Sequence, residues 1–104
     1  MPVVVVAVLR VKPESVDALR PKLINVVAET HKEDGCQLYA LHETEGAFVF
    51  VEQWADQAAL QNHVGGPGVT TLLKEIGDDL VGAPDIMVTT PIPAGEPAKG
   101  ALVR

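Results

Sequence analysis

From Val3 to Leu9 no side chain is polar, and every residue except Ala7 and Leu9 is valine. β-branched residues in a row favour extended backbone. A strand sends successive side chains to opposite faces, so an unbroken apolar run is apolar on both faces. Both then need cover from water. The run is too short to span a bilayer and is interrupted by Arg10 and Lys12. Nothing basic precedes it, so it fits neither a signal peptide nor a membrane anchor. A cytoplasmic protein is expected, and the single cysteine, Cys36, agrees with a reducing compartment.

The rest of the chain supplies cover for one of those faces. Lys12-Pro13-Glu14-Ser15 punctuates the strand and opens a helix across 16–31. Val16, Leu19, Leu23 and Val26 or Val27 recur there at three- and four-residue steps, making one buried stripe. Pro21 predicts either a kink or a helix start near Asp17 that leaves it close to the first turn. Gly35 suits a left-handed helix end. Runs 36–42 and 47–55 then read as a hairpin, with a three-residue loop Thr44–Gly46 and Gly46 at positive φ. Asp56 predicts an N-cap for a short helix over 57–64. Val69, Leu72, Leu73, Ile76 and Leu80 predict an amphipathic helix to about residue 81, and 85–90 a last strand. The order β-α-β-β-α-β is that of an α+β, ferredoxin-like antiparallel sheet with helices on one face. We expect a domain over 1–91 and an extended arm or tail over 92–104, where prolines and glycines gather.

One sheet face remains bare in this scheme. A second copy packed sheet to sheet is the economical cover, because soluble monomers rarely expose so large an apolar patch. A homodimer is therefore expected. Eight Lys and Arg against fourteen Asp and Glu give −6, with no basic block, so neither nucleic acid nor an anionic membrane is expected as a partner.

Aromatic residues are scarce, 4% of the chain against 47% hydrophobic. Three of them converge: period-two geometry puts Phe48, Phe50, Glu52 and Trp54 on one strand face. His63, on the short helix that follows, can reach the same layer. These residues form either an apolar pocket with two titratable groups or the ordinary packing between sheet and helix. No phosphate-binding glycine loop, CxxC or HExxH is present. His31, His42 and His63 fall in three different elements, and no metal site is expected. Cys36 reads as a small buried hydrophobe, and Glu14, Asp17, Glu29, Glu33 and Asp34 as a solvated helix face.

Glu33-Asp34-Gly35-Cys36-Gln37-Leu38-Tyr39, and Phe50-Val51-Glu52-Gln53-Trp54 followed by Ala58-Ala59-Leu60-Gln61-Asn62-His63, resemble the antibiotic biosynthesis monooxygenase family of dimeric α/β barrels. The likeness runs from Val3 to about Pro91. It implies two four-stranded sheets packed face to face, with the C-terminal arm able to lie on the partner. It implies oxidation of a small phenol, quinol or polyketide aromatic by dioxygen without a cofactor. Trp54 would wall the ring and His63 serve as base, aided by Glu52 or Tyr39. Phe48, Phe50 and Leu60 would complete the substrate pocket. The polyketide oxygenases carry Asn where this chain has Phe50, and Tyr where it has Leu60. Haem degradation does not fit, since neither the first-strand Asn nor the haem-ligand His has a counterpart. Two alternatives stay open, a small-metabolite isomerase and a non-catalytic dimeric binding or stress-response module.

Overall fold

The computed structural model describes residues 1–102. Four strands form one antiparallel sheet in the order β2-β3-β1-β4. They are β1 (Val3–Arg10), β2 (Cys36–Thr44), β3 (Ala47–Trp54) and β4 (Asp85–Thr89). Three helices, α1 (Val16–Thr30), α2 (Gln57–Gly65) and α3 (Pro67–Ile76), pack on one side. This is the ferredoxin-like α+β arrangement expected from the order of elements.

The valine run becomes a central strand, flanked by β3 and β4. Val3, Val5, Ala7 and Leu9 point to the helices and are buried, whereas Val4, Val6 and Val8 on the other face are half-buried. Leu19 and Leu23 of α1 and Leu72 and Ile76 of α3 close the helix side over Phe48, Phe50 and Trp54. α1 runs unbroken through Pro21, starting at Val16 after a 3-10 turn, Pro13–Ser15. The proline is tolerated because it lies on the exposed side of the helix, in its second turn.

The hairpin loop and both ends of α3 differ from the sequence reading by more than fraying. Thr44 pairs directly with Ala47, so the hairpin loop has two residues, Glu45 and Gly46, with Gly46 at φ 74°. α3 starts two residues early because Pro67 suits a first helical position. It also ends at Ile76: a 3-10 turn, Gly77–Asp79, follows, and Leu80 pairs with Val11 as a bridge instead of continuing the helical stripe. Residues 92–102 form no helix or strand, only a turn in which Lys99 and Gly100 donate to Glu96. The final two residues of the expected arm lie outside the described residues. No described helix is long and apolar enough to cross a membrane.

Candidate active site

The site is assembled where the end of β3 meets α2. Asp56 caps α2 by accepting from the Ala59 backbone N–H at 2.9 Å. The helix then presents Leu60 and, one turn on, His63, three residues apart, to the sheet, where both are buried. On β3, Glu52 and Trp54 share a face, and the indole Nε1–H donates to Glu52 Oε1 at 2.9 Å. Tyr39 stands beside Glu52 across the β2–β3 ladder. The imidazole of His63 lies between two rings, 4.5 Å from Trp54 at 31° and 5.3 Å from Tyr39 nearly edge-on.

Electrostatics follow from this burial. Desolvation pushes the Glu52 carboxyl above the ordinary carboxylate range, against the opposing pull of the Trp54 N–H and His63. Desolvation likewise raises the Tyr39 phenol, whose hydroxyl meets the buried Thr30 side chain. The Cys36 thiol is raised by the same cause, which fits a structural cysteine better than a nucleophile.

A cavity of about 190 Å³ separates the sheet from α2 and α3. Its floor is Val5, Ala7, Phe50 and Glu52, and its roof includes Leu60, His63 and Leu72. At the rim Ile86 and Val88 of β4 are 61% and 52% exposed, so the cavity is open on that side. Thr70 also lines it, but its hydroxyl donates to the Gly66 carbonyl at 3.1 Å. Among the described residues no Lys or Arg lines the cavity. Nor do the described residues place three or more His, Cys, Asp or Glu together as a metal-binding group.

Of the residues singled out from sequence, Tyr39, Phe50, Glu52, Leu60 and His63 meet at this cavity. Trp54 does not line it. Its side chain is fully buried behind His63 and Glu52 and holds both. Phe48 lies at a separate groove with Arg20 and Ile24 of α1. The shared strand face is real, but different helices cover its two ends. Glu33 departs from the solvated helix face expected of it: its Oε1 is 2.9 Å from His63 Nδ1. Glu14, Asp17, Glu29 and Asp34 are exposed as expected. No local sequence signal points to the contact of Glu33 with His63, which is made by the close approach of Gly35 to Ala59 of α2.

Residues 2–74 match the family model described as antibiotic biosynthesis monooxygenase. The chain is 31% identical over 93 residues to the Mycobacterium tuberculosis protein Rv0793, covering 88% of this chain and 92% of that one. The structure of Rv0793 superposes with a TM-score of 0.83, covering 92% of this chain and all of the other at 30% identity. A crystal structure of an antibiotic biosynthesis monooxygenase gives 0.81 at 30% identity, over 88% and 99% of the two chains. The Pseudomonas aeruginosa protein PA3566 gives 0.79 at 26% identity, over 88% and 94%.

Proposed function

The chain belongs to the antibiotic biosynthesis monooxygenase family, and on that premise we propose that it oxidises a small phenol or quinol with dioxygen, without a cofactor. The observation that carries this reading is that His63 and Glu52 both line a largely apolar cavity. A dry cavity of about 150 Å³ holds a benzene ring. The 190 Å³ here suits one substituted ring, with any larger substituent leaving past Ile86 and Val88.

The chemistry needs an electron-rich anion. His63, the imidazole in the cavity lining, takes the proton of a ring hydroxyl as general base. The resulting anion gives an electron to dioxygen far more readily than the neutral ring does. The two radicals join at a ring carbon as a hydroperoxide. Its O–O bond breaks, one oxygen staying on the ring and the other leaving as water with hydrogens drawn from the quinol. The quinol departs as a hydroxyquinone, and every electron comes from the substrate. Glu52, held toward its neutral form by burial, can donate to the departing peroxide oxygen, and Trp54 fixes its other edge. Phe50, Leu60 and Tyr39 hold the ring flat against the inner wall of the cavity.

A small-metabolite isomerase acting on a phosphorylated substrate is less well supported, since among the described residues no Lys or Arg lines the cavity and a carboxyl does. A non-catalytic dimeric binding or stress-response module is less well supported too, since the layer between sheet and helices is not filled. Oxygen consumption by the purified protein over a panel of one-ring quinols and anthrones tests the proposal. Uptake above the spontaneous rate is expected for at least one quinol, falling by about 100-fold or more in His63→Ala. No uptake across the panel overturns the oxygenase reading. Unchanged turnover in His63→Ala removes the histidine from it.

A further inference from the structure

His63 is buried, yet its two ring nitrogens meet different surroundings. Nδ1 lies 2.9 Å from Glu33 Oε1, and a carboxylate can only accept, so Nδ1 carries the hydrogen. Nε2, on the far side of the ring, has no hydrogen-bond partner among the described residues. His63 lines the cavity and Glu33 does not. Instead Glu33 lies on the outer side of the helix layer, in a groove formed with α1 and the α2–α3 junction.

We propose that Glu33 is the positioning residue of the site, holding the Nδ1 hydrogen of His63 so that the Nε2 lone pair faces the cavity. Free imidazole can place its single hydrogen on either nitrogen, and the bond made by one nitrogen decides the role of the other. Without Glu33, a hydrogen on Nε2 would present a donor to the cavity and no base. The carboxylate also faces the positive charge that His63 acquires on taking a proton, which stabilises it at that moment.

The backbone around Glu33 is built to hold this geometry. Glu33 N–H donates to the Thr30 carbonyl at 3.0 Å, and the Glu33 carbonyl accepts from Cys36 N–H at 3.2 Å. Gly35 accepts from Ala55 N–H at 2.8 Å, tying the segment to the start of α2. A Cβ on Gly35 would lie 2.5 Å from the Ala59 Cβ, so only glycine lets α2 come this close. A residue of one connection thereby reaches His63 thirty positions on.

The proposal rests on the reading of His63 as a base, but its test reads the ring and not turnover. Nitrogen-15 shifts of the His63 ring in the labelled full-length protein, assigned with a His63→Gln variant, report which nitrogen carries the hydrogen at neutral pH. The expected result is hydrogen on Nδ1 in the wild type and in Glu33→Gln, whose amide oxygen still accepts. Glu33→Ala should move the hydrogen predominantly to Nε2, with the far-ultraviolet circular dichroism of the folded protein retained. Hydrogen on Nε2 in the wild type overturns the proposal even if every variant fails to fold. An unchanged ring in folded Glu33→Ala also overturns it. Hydrogen on Nδ1 together with an absence of oxygen uptake would sink the oxygenase reading and leave Glu33 in its role.

Discussion

Glu52 is the residue whose environment departs most from its chemistry. It is a carboxyl at the floor of an apolar cavity, satisfied on one oxygen by the Trp54 indole. Its face on β3 could be read from sequence because side-chain alternation is a property of any strand. Its burial could not, since that depends on where α2 and α3 lie. The consequence is a definite pH dependence. Burial raises the folded-state pKa above the ordinary value of 4.5, so the folded chain keeps a proton that the unfolded chain has released. Stability therefore falls as pH rises from about 4.5 through the folded-state value, where the unfolded state binds fewer protons. Glu52→Gln still accepts from Trp54 and has no proton to lose. Melting temperatures measured against pH should show the wild type losing ground to Glu52→Gln over that window, then levelling. A constant difference throughout would contradict the assignment.

At the level of elements, α2 carries the site, and its position depends on one glycine. The N-cap at Asp56 and the spacing of Leu60 and His63 were legible, because capping and helical periodicity are local. The meeting of Glu33 with His63 was not, since it is made by the packing of the β2 start against α2. Leu80 was misplaced for a related reason: it continues the apolar period of α3, but the backbone turns and Val11 supplies a strand partner. Gly35 and Gly46 offer a controlled comparison. Both have positive φ, 83° and 74°, but a Cβ at Gly46 meets nothing within 4 Å. Alanine at either position incurs backbone strain of about 1–3 kcal/mol. Only Gly35→Ala also drives α2 away from the sheet. Chemical denaturation should therefore show Gly35→Ala more destabilised than Gly46→Ala. Equal losses would mean that the close approach to Ala59 is unimportant.

At the scale of the whole molecule, the opening valine run retains a demand that one chain does not meet. Val4, Val6, Val8, Val49 and Val51 form an apolar outer sheet face that no helix covers, and Met87 on the edge strand is 65% exposed. We propose that a second copy covers it, sheet to sheet, completing a dimeric barrel from domains of residues 1–91. Residues 92–102 would be an arm available to the partner. Light scattering at micromolar concentration should give about twice the 11.0 kDa chain mass. Val51→Lys, opposite Val6 in the β1–β3 ladder, should return the protein to the single-chain mass. A wild-type mass of one chain would contradict this assembly.

The cavity and the chemistry assigned to it are most directly tested by oxygen labelling. Turnover of an accepted quinol under oxygen-18 gas, followed by mass spectrometry of the product, traces each atom of dioxygen. One heavy oxygen is expected in the hydroxyquinone and the other in water. A product that carries no heavy oxygen would contradict it.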